Sequence, residues 1–249
     1  LVSEVASAVA TVAITPLTTV LVGIESETDK TAFLTSLGIT GSAEELLAAD
    51  GWALAESGDA GALAAQRVSQ QIAGVMQAIS SVTASSQTAE TSVLDVAKAV
   101  ASKIAAASTD ASFSLSSPAS LQSIVTESVT VLVTDGAASA AVIAAVADSI
   151  AAVNEVIADP EIDPTSASAA DIVTAVQETV QASIVALVEG TITTEAFVTN
   201  SSVATLFTAL PPRITLLGAA TVALEQGTAY TDAGATALDV VDGVVAVTT

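Results

Sequence analysis

Val142-Ile143-Ala144-Ala145-Val146-Ala147-Asp148-Ser149-Ile150-Ala151-Ala152-Val153-Asn154-Glu155-Val156-Ile157-Ala158-Asp159-Pro160 decides the fold class. Its larger aliphatics Val142, Val146, Ile150, Val153 and Ile157 recur in steps of four, four, three and four. That is the spacing of one buried helix face, not the alternation of a half-buried strand. Asp159-Pro160 ends the run, because proline disfavours helical geometry in the residue before it.

The same spacing recurs on both sides. Between Asp59 and Thr83 the stripe is Leu63, Val68, Ile72, Val75, Ile79 and Val82, with Met76 beside it. Val93, Ala97, Val100 and Ile104 form the next, and Leu121, Val125, Val129 and Leu132 follow, ending at Asp135-Gly136. Val173, Val176, Val180, Ile184 and Leu187 make a further helix closed by Gly190, with short helices expected near Thr194 and Ser202. Thr15-Pro16 and Ser117-Pro118 place a capping hydroxyl before a proline at the first helical position, where the missing N–H costs nothing. Ser42 and Glu45 have capping-box spacing, and Gly51 is expected to follow the short helix they open. One segment is ambiguous: Val129-Thr130-Val131-Leu132-Val133 alternates and also suits a strand.

The other helix faces carry Ala, Ser and Thr, which let helices approach closely and favour antiparallel bundle packing. The fold expected is mainly α: an Ala-rich antiparallel helical bundle over residues 1–210, with a sub-boundary near 110–117, followed by a partial immunoglobulin-like β-sandwich over 211–249. The change of character comes at Pro211-Pro212. Beyond it lie strand candidates Arg213-Ile214-Thr215-Leu216-Leu217, Thr221-Val222-Ala223-Leu224 and Val244 to Thr248, punctuated by Gly218, Gly227 and Gly234. Too few residues remain for a whole sandwich, which takes about 70 to 100, so neighbouring strands must complete it.

Composition narrows function. The 249 residues carry 5 Lys+Arg against 27 Asp+Glu, a formal charge of −22, and no Cys or His. Nucleic-acid binding is excluded for want of cations to neutralise phosphates. Cys and His nucleophiles, zinc fingers and disulfide scaffolds lack their atoms. An anionic membrane surface would repel the chain. The uncharged run Val5 to Ile24 is long enough to span a bilayer, but Pro16, its hydroxyl residues and its lack of basic flanks favour buried helices, so no membrane insertion is expected. The chain opens on Leu1 without a basic leader and reads as a piece of a longer polypeptide. Excess acid and absence of thiols suit a secreted protein in salty water.

No Lys lies three residues after a Ser, no GxSxG or phosphate-cradling GxxxxGK occurs, and carboxylate pairs are expected by chance among so many acids. The expectation is therefore no enzyme. Sugar clefts use aromatic platforms, and Trp52 is read as a plug in the core. Asp159-Pro160-Glu161-Ile162-Asp163 opens like a calcium loop but has Pro164 and Ala170 where that loop needs Gly and Glu, which leaves a solvated helix connection. Asn200-Ser201-Ser202 is a glycosylation pattern, with Asn200 read as a helix cap. Asp232, Asp239 and Asp242 sit near turns and are the candidate calcium ligands; the plain alternative is that Asp suits turns by bonding its own backbone. No other cofactor is expected.

Pro212-Arg213-Ile214-Thr215-Leu216-Leu217-Gly218, then Glu225-Gln226-Gly227-Thr228-Ala229-Tyr230-Thr231-Asp232-Ala233-Gly234-Ala235-Thr236-Ala237, then Asp239-Val240-Val241-Asp242-Gly243, resembles the first half of a bacterial immunoglobulin-like repeat. Members commonly have a further Asp after the final Asp-Gly, where this chain has Val244. Ile14-Thr15-Pro16-Leu17-Thr18-Thr19-Val20-Leu21 with Phe33-Leu34-Thr35-Ser36-Leu37-Gly38-Ile39 looks like the Ala-rich helical modules that neighbour such repeats in giant bacterial surface proteins.

The resemblance implies a non-enzymatic structural spacer segment of an extracellular, cell-surface, adhesin-like protein. Its partners would be neighbouring domains or subunits of the same protein. Two alternatives accompany it. One is a self-assembling filament or sheath subunit, a homopolymer completed by strand addition between chains. The other is a sugar-active or calcium-regulated adhesive module.

Overall fold

The computed structural model describes residues 14–48, 51–84, 93–107, 113–133, 138–160, 164–165, 167–207, 212–217, 229, 231–239 and 243–247. The protein is mainly helical and divides into two compact units, residues 1–202 and 203–249.

Capping opens the first unit. Thr15 accepts at Oγ1 from the Thr18 N–H at 3.1 Å, and its own N–H donates to Thr18 Oγ1 at 2.7 Å. With Pro16 at the first position this starts α1 (Pro16–Gly23), whose Leu17, Val20 and Leu21 are buried. α2 (Glu27–Ser36) buries Phe33 and Leu34. Ser42 and Glu45 then exchange backbone and side-chain bonds at 2.8 and 3.2 Å, the expected capping box, and open α3 (Ala43–Ala48). Gly51 does not sit beyond a helix end as a terminator: it opens α4 (Gly51–Glu56). The turn is made instead at Gly58, with φ +85°, where the Gly58 and Asp59 N–H groups donate to Ala55 O and Leu54 O. A side chain in that left-handed conformation is strained, which is why glycine stands there.

The central helix is α5 (Ala60–Ala84), which packs against α1, α4, α6 (Val93–Ala107), α7 (Pro118–Leu132), α8 (Ala140–Ala158) and α9 (Ala167–Val188). Val68, Ile72, Val75, Met76, Ile79 and Val82 are buried as their spacing predicts. Ala65, Ser69, Ala78 and Ser81 are buried too, because neighbours cover this helix on more than one face. Gly74 marks the closest passage: a Cβ there would stand 3.8 Å from Asn154 Oδ1 and 3.6 Å from Gln177 Nε2.

Polar ties fix the directions of these helices. Arg67 donates to Pro160 O at 3.0 Å and Gln71 Nε2 to Asn154 O at 2.8 Å, so α8 runs opposite to α5. Gln177 Nε2 donates to Gln70 O at 3.1 Å while Gln181 lies beside Gln77, so α9 runs with α5. Asn154 Nδ2 donates to Leu115 O at 2.8 Å and anchors the entry to α7, which Ser117 and Pro118 cap as expected. Pro160 and Pro164 thus supply carbonyls to α5, Gln70 Nε2 reaching Pro164 O at 3.4 Å, while Glu161, Ile162 and Asp163 of the acidic connection lie outside the described residues.

In α8, Val146, Ile150, Val153 and Ile157 are buried, but Val142 is only half-buried and Ile143 takes its place. The reason is that α8 is enclosed by α5, α7, α9 and the later helix over residues 194–200, and a helix covered on several sides buries more than one stripe. It is also long and apolar enough to cross a membrane by length and composition, as core helices often are. Val129 to Leu132 belong to α7, so the ambiguous segment is helical there: in-register burial of Leu121, Val125 and Val129 outweighs local strand preference. α10 (Thr194–Asn200) starts at the cap Thr193 after Gly190, which has φ +69°. Asn200 is the exposed last residue of α10 and not the cap that opens a helix.

The second unit comprises α11 (Val203–Leu206) and a single three-stranded antiparallel sheet, order β1-β2-β3, from β1 (Arg213–Leu216), β2 (Ala235–Asp239) and β3 (Gly243–Val245). Ile214 pairs with Ala237 and Leu216 with Ala235; Ala237 also pairs with Val245. Among the described residues this is one antiparallel sheet with no second layer packed on it, so the sandwich expected here is not formed by them. Of the strand candidates, Thr221 to Leu224 lie outside them. β1 forms where expected, β3 meets its candidate run only at Val244 and Val245, and the central β2 is a strand the periodicity did not single out.

Candidate functional site

The three acids proposed for calcium follow the sheet. Asp232 Oδ1 accepts from the Gly234 N–H at 2.9 Å, and Gly234, at φ +84°, turns the chain into β2. Asp239 ends β2, opposite Gly243. Four strand steps, about 13 Å, separate Ala235 from Asp239, so the two acids stand at opposite ends of β2. Asp242 lies outside the described residues. Among the described residues no group of three or more His, Cys, Asp or Glu is placed to hold a metal ion.

A more developed site lies in the helical unit. Between the start of α1, the capping box of α3, the helix α4 and the first turns of α5 runs a cleft of about 640 Å³. Trp52, the one tryptophan in the chain, lines it and is 43% exposed. The plug reading of Trp52 is thereby corrected, and the cause is local. A helical side chain leans toward the N-terminus and covers the turn before its own Cα. Trp52 is the second residue of a six-residue helix, so no turn precedes it, while Ala55 makes the buried contact of α4.

The polar groups of the cleft come from helix starts. Asp59 caps α5, its Oδ1 accepting from the Ala62 N–H at 2.8 Å. Glu45 Oε2 accepts from the Ser42 N–H, and that backbone bond, followed by the Ser42 hydroxyl, holds the Glu45 carboxyl below its ordinary range. The Glu45 carboxylate is therefore charged at neutral pH, and both it and the Asp59 carboxylate ahead of α5 are held by backbone N–H groups. Gln66, one turn into α5, and Thr40 also line the cleft, and neither side chain, nor the Trp52 indole N–H, has a hydrogen-bond partner among the described residues. Among the described residues no Lys or Arg lines it. The sequence carried one signal for this place: a tryptophan between Gly51 and Gly58, in a segment too short to bury it.

Other polar clusters are structural. Lys103 Nζ meets Glu127 Oε2 at 2.6 Å and ties α6 to α7. That bond and the Ser123 hydroxyl keep the Glu127 carboxyl below its usual range. Comparison of the chain with protein-family models, curated proteins and solved structures found no match.

Proposed function

We propose that this chain is a non-enzymatic structural segment of an extracellular, adhesin-like surface protein, spacing and presenting neighbouring modules. In this reading the helical unit is a bundle in which α8 runs opposite to α5 and α9 runs with it, and the C-terminal strands are the opening half of an immunoglobulin-like repeat, as the motif from Pro212 to Gly243 suggests. One observation carries the proposal. The helical core is closed mainly by aliphatics, with Phe33 of α2 and Phe197 of α10 its largest buried side chains, and among the described residues no ionisable side chain is buried. Such a core needs no disulfide to hold its shape, and the acids left at the surface resist aggregation.

Exposure of the sheet favours a second reading. Ile214, Leu216 and Val244 are 64%, 74% and 83% exposed, and β1 and β3 are the outer strands of the described sheet. Unpaired strand edges bearing apolar side chains are templates for another chain. Under this reading the protein is a filament or sheath subunit.

Protease shaving of intact producing cells tests the main proposal. The chain should be lost from unbroken cells, and protection until lysis would overturn it. Negative-stain images of the purified protein separate the two readings. Isolated particles support the spacer; regular fibres that Leu216→Lys abolishes support the subunit.

A further inference from the structure

We propose that the Trp52 cleft is a binding site for a neutral oligosaccharide. The inference rests on the geometry of the cleft and stands whether or not the chain is a surface spacer.

Size comes first. A volume of about 640 Å³ lies in the range of small-ligand sites. It is larger than a single ion or a compact ammonium group needs. The wall chemistry then selects among ligands. A half-exposed indole offers a flat apolar face with a donor at its edge. The C–H face of a pyranose fits against such a ring, and its hydroxyls reach the rim. Carboxylates accept hydrogen bonds and donate none when ionised, so Glu45 and Asp59 call for a ligand rich in donors. The Gln66 amide both donates and accepts, which matches a hydroxyl in either role. Hydroxyls of a sugar can serve each of these groups, all of which line the one cleft.

Competing ligands fit less well. An anionic ligand would meet two carboxylates, no lining Lys or Arg, and a chain of formal charge −22. A wholly apolar ligand would strip water from charged groups and return nothing to them. A small cation would leave the indole and much of the cleft unused, and both carboxylates already accept from backbone N–H groups. Preorganisation also favours the site: the two acids are held by helix caps, so little side-chain freedom is lost on binding.

Trp52 is the only tryptophan, so its emission reports this cleft alone. The full chain should be titrated with neutral gluco-, galacto- and N-acetylglucosamine oligomers, with oligogalacturonate and choline as charged comparisons. At least one neutral oligomer should shift Trp52 emission saturably at or below about 1 mM, with little dependence on salt. Gln66→Ala keeps the reporter and should weaken binding about 5- to 10-fold. Trp52→Ala, followed by calorimetry, should abolish binding while the far-UV circular dichroism spectrum is unchanged. The proposal is overturned if no neutral oligomer shifts the emission. It is equally overturned if choline or oligogalacturonate binds in preference, if Gln66→Ala binds as the parent does, or if acrylamide fails to quench Trp52, which would show the cleft to be covered.

Discussion

Ser128, on α7, is fully buried, and its hydroxyl has no hydrogen-bond partner among the described residues. A buried hydroxyl without a partner carries its desolvation cost uncompensated, and serine is a poorer helix former than alanine. Ser128→Ala should therefore raise stability by about 1 kcal/mol, read as a higher urea midpoint at unchanged slope. A lower midpoint would mean that the hydroxyl has a partner after all. Glu127 gives the opposite case at the same scale. Its bonds to Lys103 and Ser123 favour the charged form, so its carboxyl titrates below the ordinary 4.5. A depressed folded-state value contributes stability that is present above the unfolded value and lost as pH falls through the folded one. Glu127→Gln should cost about 0.5 kcal/mol at neutral pH, the scale of an exposed pair. The gap between variant and parent should close as the solution is acidified below 4.5. A gap independent of pH would show that charge is not its source.

Among the elements, α5 carries the most weight, since it touches most of the other long helices. Ile79 is fully buried on it. Ile79→Ala should cost about 2–5 kcal/mol, measured by urea unfolding, and a loss under about 1 kcal/mol would mean that α5 is not the centre of the core. Gly190 follows α9 at φ +69° with open space where a Cβ would go. Gly190→Ala should still destabilise by about 1 kcal/mol, from backbone strain alone.

The elements were also what the sequence revealed best. Stripes such as Val68 to Val82 and Val173 to Leu187 need only the helical period, and the Thr15-Pro16 and Ser117-Pro118 caps need only neighbours in the chain. What it concealed depends on tertiary contact. Ile143 is buried because four helices, α5, α7, α9 and α10, pack on α8. Trp52 is exposed because α4 is short and makes its buried contact at Ala55. β2 is built of Ala, Thr and Leu with no strong alternation, and its place between β1 and β3 follows from pairing. The cleft was hidden for the same reason: Glu45, Trp52, Asp59 and Gln66 serve as cap or helix residues locally, and only packing assembles them.

Taken whole, the protein is held by many short aliphatic contacts, without cysteine and, among the described residues, with its ionisable groups outside the core. Each buried aliphatic contributes about 1.5–3 kcal/mol, and the close approach allowed by Ala, Ser and Gly74 compensates for small side chains. The proposed role outside the cell asks for that self-sufficiency, in which the helical scaffold depends on no bound ion or cross-link. Urea unfolding followed by far-UV circular dichroism, with and without EDTA and a thiol reductant, tests this most directly. The account predicts a helix-dominated spectrum, a cooperative transition and one midpoint under all conditions. A strand-dominated spectrum, or a midpoint that falls when metal is chelated, would contradict it.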